Sequence, residues 1–240
     1  QDKDDIADVC MSDVTFDDVV GAEDAKAELE GFISYLKNPK IYAKNKIPTP
    51  KGVILYGPPG TGKTTASHVI AAESGMSFYK LNATTASLSD VKEILGTTDN
   101  IFSRGGILLY IDEIQYFNRK QQQALLEYIE DGRVTLIAST TENPHFYIYN
   151  AIISRSSLFE FKPVKPDACI GALKRAIRFL EEQSGLTRTV SDDVLLYIAQ
   201  STSGDVRHAI GVLENAFFSA ESEITIDVVD EFNVKIGNFD

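Results

Sequence analysis

Residues 57–64 read Gly-Pro-Pro-Gly-Thr-Gly-Lys-Thr and fit the pattern G-x-x-x-x-G-K-[ST], a phosphate-binding P-loop. An apolar run of strand type, Gly52-Val53-Ile54-Leu55-Tyr56, precedes it, and a helix-type run, Thr65 to Glu73, follows it. Few features constrain a fold as much as this one. A strand must enter a glycine-rich turn and leave as a helix whose first amide groups point at a bound anion. Glycines let the backbone curl inward. The helix N-terminus adds positive partial charge and unpaired donors. On this reading the backbone of Pro58, Pro59, Gly60, Thr61 and Gly62 cradles phosphates, with Thr65 just inside the helix. Lys63 reaches the β- and γ-phosphates, and the Thr64 hydroxyl ligates Mg²⁺.

A second stretch completes the chemistry. Ile107-Leu108-Leu109-Tyr110-Ile111 is continuously apolar, the mark of a strand covered on both faces of a parallel sheet. Asp112 and Glu113 emerge at its C-terminal end, where open α/β sheets bind ligands. Asp112 is expected to hold Mg²⁺ through water, and Glu113 to polarise the attacking water. After the next buried strand, Val134 to Ala138, comes Thr140-Thr141-Glu142-Asn143-Pro144. Asn143 there is a candidate partner for a γ-phosphate or water; the alternative is a polar turn before a proline. Arg155 is a candidate to reach into a neighbouring subunit's site and neutralise developing charge, or else a plain surface arginine. Arg207 falls in the first turn of a helix, where the dipole disfavours a cation unless it meets an anion.

Strands alternating with helices up to residue 163 predict a doubly wound α/β layer. Beyond Lys162-Pro163-Val164-Lys165-Pro166 the periodicity is helical, over about 167–184, 191–201, 205–220 and 225–236. The expected organisation is an acidic lead-in (1–14), an α/β nucleotide-binding domain (15–163) and a helical domain (165–236). Ser87, Ser191 and Thr225 are expected caps, and Gly185 and Gly204 breaks. Residues 38–51, with three prolines and four lysines, read as a loop, and one helix is expected near Tyr147–Ser154.

Composition narrows the function further. With 240 residues and 43% hydrophobic content the chain can bury a substantial core. Its net charge is −12, and half of that sits in the first 20 residues, which hold seven aspartates and one lysine. This argues against a broad basic surface for nucleic acid but leaves room for a local patch. Cys10 and Cys169 form no disulfide framework, so a reducing compartment is expected. No apolar run is long enough to span a membrane and no signal peptide opens the chain, so a soluble, cytoplasmic protein is expected. His68, His145 and His208 show no metal-ligand spacing. The first residue is Gln, which is compatible with a fragment of a longer protein.

Together these elements resemble an AAA+ ATPase. Residues 57–64 resemble Walker A, 107–113 Walker B, Asn143 sensor 1, Arg155 the arginine finger and Arg207 sensor 2. The stretch from Asp112 to Leu126, Glu130-Asp131-Gly132, Thr140 to Pro144, Ala151 to Arg155 and Gly204 to Arg207 resemble the replication-associated recombination protein A family, related to clamp loaders and RuvB. The segment Phe16–Gly21, with Ala25 to Leu29 and Tyr35 to Pro39, is similar instead to the FtsH-type membrane protease ATPase. Neither a zinc-protease motif nor an aromatic-glycine pore loop between Asn82 and Ile107 accompanies it. The resemblance implies a five-stranded parallel sheet of order 5-1-4-3-2 and a helical lid. It implies ATP and Mg²⁺ as cofactors, and Val19, Val20 and Gly21 bordering the adenine, with simple packing as their alternative role. It further implies a ring or other homo-oligomer, and action on DNA junctions or single-stranded DNA together with replication proteins. Protein remodelling and a low-turnover nucleotide switch are the alternatives.

Overall fold

The computed structural model describes residues 14–46, 49–97 and 106–236. The acidic lead-in up to residue 13, Cys10 within it, and residues 98–105 between the second and third strands lie outside the described residues.

Alternating buried strands and amphipathic helices build the first of two compact units. It holds Glu23–Gly57 and Lys63–Phe161, with the described residues up to Asp17. Its chain order is α1 (Glu23–Lys37), α2 (Pro39–Lys44), β1 (Gly52–Tyr56), α3 (Lys63–Ser74), β2 (Ser77–Asn82), α4 (Leu88–Thr97), β3 (Ile107–Asp112), α5 (Arg119–Glu130), β4 (Val134–Thr140), α6 (Pro144–Tyr147), α7 (Asn150–Ile153) and β5 (Ser156–Glu160). The five strands run parallel in the order β2-β3-β4-β1-β5, which is the order expected. The P-loop strand β1 is therefore interior, flanked by β4 and β5.

Strand parity divides the core. Ile54, Leu109, Ile111, Leu136 and Ala138 face α4, α5 and α7 through Val91, Ile94, Leu125, Ile129 and Ile152. The intervening residues Val53, Leu55, Leu108, Tyr110 and Ile137 are equally buried. They point to the opposite face, which α3 covers. Burial on both faces is why β1 and β3 read as unbroken apolar runs and why β4 is apolar from Leu136 to Ala138.

Two expectations need correction. The loop expected over 38–51 contains α2, started by Pro39 at its first turn, where a missing amide costs nothing. The single helix expected near Tyr147–Ser154 is two helices, α6 and α7, because Ile148 and Tyr149 take extended backbone between them.

The second unit comprises Asp18–Ala22, Pro58–Gly62 and the chain from Lys162 on. Its elements are α8 (Pro166–Ser184), β6 (Thr189–Val190), α9 (Asp192–Ser201), α10 (Val206–Ser219), β7 (Glu223–Ile224) and α11 (Ile226–Ile236). Leu173, Leu195, Ile198, Leu213, Phe217 and Val229 form its core. Ser191 accepts from the Val194 amide at the start of α9, and Thr225 from Val228 before α11. Gly185 ends α8 in the left-handed conformation. These caps and breaks were legible in the sequence. The two-residue parallel pair β6–β7 was not.

Candidate functional site

In the first unit, strand geometry delivers several polar groups to one end of the sheet. Tyr110 and Asp112 are two residues apart on β3, so they share a face. Ser139 joins them from β4. Thr64 enters from the second residue of α3, the helix covering that face. The Tyr110 hydroxyl lies 2.9 Å from Asp112 Oδ1, 3.0 Å from Ser139 Oγ and 3.3 Å from Thr64 Oγ1. Ser139 Oγ also donates to Asp112 Oδ1 and accepts from the Glu113 amide at 3.3 Å. Burial, and then the Asp112 charge, push the Tyr110 hydroxyl well above its ordinary pKa, so it stays a neutral donor.

Glu113 follows directly in the left-handed region, with φ 55° and ψ 48°. A non-glycine residue there carries strain of roughly 1–3 kcal/mol, a cost concentrated at functional positions. The turn redirects the chain into a short 3₁₀ helix, Ile114–Tyr116. Glu113 Oε2 accepts from Gln115 Nε2 at 2.5 Å and from Thr141 Oγ1 at 3.4 Å. Asn143 Oδ1 accepts from the His145 amide at 3.0 Å and so caps α6. Sequence reasoning singled out Asn143 on this segment. The structure shows that Ser139 and Thr141 are the residues whose side chains meet the two carboxylates. Strand parity in 134–141 carried that signal. Gln115 could not be read, because its approach depends on the unusual Glu113 backbone.

Lys63 is buried, and its Nζ donates to the Gly57 carbonyl at 2.6 Å. Gly57 must be glycine: its φ is +138°, and a Cβ would stand 2.0 Å from the Phe161 carbonyl oxygen. Thr65 lies next along α3, partly buried. Arg155 follows α7. Its guanidinium is half-exposed, pairs with Glu130, and donates to the Ala151 carbonyl at 2.9 Å. In this chain it therefore has an internal partner, which sequence could not reveal.

In the second unit, Pro58–Gly62 form the turn of the motif. Thr61 Oγ1 braces it by donating to the Pro58 carbonyl at 2.9 Å. Among the described residues the amides of Gly60, Thr61 and Gly62 find no acceptor. The Gly60 carbonyl accepts from the Val206 amide at 3.1 Å, and its Cα abuts Asp205, the N-cap of α10. Val19 is buried and lies beside Gly62, Val20 packs on the helical core, and Gly21 sits against Val164. Arg207 is exposed in the first turn of α10, and its side chain makes no hydrogen bond or ion pair among the described residues. These facts hold within each unit.

No group of three or more His, Cys, Asp or Glu residues suited to a metal occurs among the described residues. No described helix is long and apolar enough to cross a membrane.

Comparison with known proteins agrees with this geometry. Residues 53–164 match the family described as "ATPase family associated with various cellular activities (AAA)". Replication-associated recombination protein A of Bacillus subtilis is 35% identical over 188 residues, covering 75% of this chain and 44% of that protein. ATPase WRNIP1 of Dictyostelium discoideum is 33% identical over 187 residues, covering 78% of this chain and 21% of that protein. The chain thus spans less than half the length of these curated relatives. The Thermotoga maritima RuvB Holliday junction branch migration motor superposes with a TM-score of 0.71 at 23% identity, covering 96% of this chain and 74% of that one. That likeness is one of fold.

Proposed function

Because this chain is an AAA+ ATPase module, with its AAA domain at residues 53–164 and its relatives among the replication-associated recombination proteins, we propose that it binds ATP with Mg²⁺ and hydrolyses it. The observation that carries the reading is the unengaged row of amides at Gly60, Thr61 and Gly62 in a motif continued by Lys63 and Thr64. Such a row is an anion cradle without an anion's worth of internal acceptors.

The donors suit the metal. The Thr64 hydroxyl and the Asp112 carboxylate are hard oxygen ligands, the kind Mg²⁺ takes with water and phosphate, and Tyr110 bridges them. When bound, Mg²⁺ supplies charge neutralisation on the phosphates. Lys63 holds the β- and γ-phosphates once its ammonium leaves the Gly57 carbonyl. Pro58, Pro59 and Thr65 complete the loop around the phosphates, and Val19, Val20 and Gly21 border the base. Glu113 orients and partly deprotonates water. Asn143 and Arg207 stabilise charge in cis. Arg155 does so in a neighbouring subunit, which requires a homo-oligomer and requires it to exchange Glu130 for phosphate. Half-exposed pairs of this sort are worth about 1 kcal/mol or less, so the exchange is cheap. Residues 165–236 act as the helical lid, and residues 15–163 as the nucleotide-binding domain.

The work done with ATP is proposed from the relatives: a DNA-dependent ATPase at junctions or single-stranded DNA, acting with replication proteins. The full-length protein should hydrolyse ATP faster with gapped or ended DNA; turnover indifferent to DNA removes that part of the proposal. For the core reaction, Glu113→Gln should bind ATP as wild type does and release phosphate at least about a hundredfold more slowly. Equal rates would refute the role of Glu113. A second reading, a nucleotide switch of low turnover, is favoured by the engagement of Glu113 with Gln115 and Thr141. Sustained multiple turnover by the wild type would exclude it.

A further inference from the structure

Among the described residues, the Tyr110 hydroxyl is the one side-chain group that hydrogen-bonds to both of the residues assigned above to the metal. It sits 3.3 Å from Thr64 Oγ1 and 2.9 Å from Asp112 Oδ1, on a side chain that is fully buried. Counting protons fixes the direction of these bonds. Asp112 only accepts, so the phenolic proton goes to Oδ1. The Thr64 proton then goes to the phenolic oxygen, which leaves the lone pairs of Thr64 for a ligand. Ser139 gives its own proton to the same Oδ1 and takes one from the Glu113 amide. Ser139 Oγ, 3.0 Å from the phenolic oxygen, is a second acceptor for the same phenolic proton. Asp112 Oδ2 carries no hydrogen bond among the described residues.

From this network we propose that Tyr110 is a positioning residue for Mg²⁺: its hydroxyl orients the Thr64 lone pairs and the Asp112 carboxylate together before the ion arrives. The inference rests on the ATP-binding reading above and adds a residue to it. A phenylalanine would keep the ring, its burial and its stack on Phe78, whose centroid lies 6.3 Å away at 14°. Only the bridge between α3 and β3 would go. Thr64 would then be free to rotate its proton toward the metal position, and Asp112 would lose one of the two donors that fix its rotamer.

The test is calorimetric titration of ATP into the chain in EDTA and across a series of Mg²⁺ concentrations, with thermal unfolding alongside. Wild type, Tyr110→Phe and Phe78→Leu are compared; the last disturbs the ring's packing and spares its oxygen. Tyr110→Phe should bind ATP in EDTA as the wild type does and need roughly tenfold more Mg²⁺ for half of the metal-dependent tightening, the effect of losing about one hydrogen bond to a charged group. Phe78→Leu should keep the wild-type Mg²⁺ requirement. An unchanged requirement in Tyr110→Phe overturns the proposal. So does an equal rise in both variants, which would assign the effect to packing. A wild type that binds no ATP under either condition overturns the parent reading and this one with it, whereas a wild type that binds while Tyr110→Phe matches it overturns this one alone.

Discussion

At the scale of single residues, what each polar side chain does depends on which oxygen or nitrogen it meets. His68 illustrates this on α3. Its ring stands edge-on to Phe78 at 5.7 Å, and its Nε2 is buried with no hydrogen-bond partner. Burial first, then the Lys80 charge, lower its pKa, partly opposed by Asp112. The folded state thus disfavours the protonated ring. Below the ordinary histidine value of about 6.5 the unfolded chain takes up a proton that the folded chain resists, so stability is full above that pH and falls as pH drops through it. The denaturation midpoint should fall between pH 7 and pH 5.5, and His68→Gln should flatten part of that slope; parallel curves would show that His68 contributes nothing. The sequence showed His68 only as a structural or surface histidine without metal-ligand spacing, since its packing against Phe78 is set by the fold.

At the scale of elements, local sequence and structure agree most closely where caps are strong. Asn118 accepts from the Gln121 amide at 3.1 Å while Gln121 Oε1 accepts from the Asn118 amide at 2.9 Å, a reciprocal capping box at the start of α5. Removing it with Asn118→Ala should cost about 1 kcal/mol, read as a shift in urea midpoint with an unchanged slope. The same helix carries Gln122, buried and bonded to the carbonyls of Phe117 and Tyr147 and the amide of Tyr149. That side chain ties the segment after β3 to the one after β4. It also explains the broken helix that periodicity misread. Gln122 Oε1 takes the Tyr149 amide, so the backbone between α6 and α7 is extended rather than continuously helical. A pattern of apolar spacing registers which residues are buried. It does not register a glutamine whose amide substitutes for a helical hydrogen bond.

At the scale of the whole molecule, the proposal that Arg155 serves a neighbouring subunit has a direct consequence. Arg155→Ala alone should bind ATP but lose turnover by about a thousandfold, the usual effect of withdrawing an arginine that neutralises phosphoryl-transfer charge. Glu113→Gln alone should also be inactive. Mixed, the two variants should recover phosphate release, because some interfaces then pair an intact Glu113 with an intact Arg155. Mixtures no more active than their components would mean that Arg155 works in cis or only pairs with Glu130.

The strand order was implied by the resemblance to AAA+ ATPases; the sequence's own pattern determined the parallel α/β layer, the position of the P-loop, and the pair Asp112–Glu113 at a strand's end. Each of these rests on local pattern: doubly buried strands are apolar throughout, and a phosphate cradle needs its glycines at fixed spacing. Tertiary structure alone decided how those residues are engaged. It placed Tyr110 between Thr64 and Asp112, turned Glu113 toward Gln115 and Thr141, paired Arg155 with Glu130, and counted Pro58–Gly62 with the helical unit rather than with the sheet that flanks it in sequence. The physical reason is distance along the chain. Hydrogen bonds joining residues dozens of positions apart are fixed by strand register and helix packing, which no local pattern of residues contains.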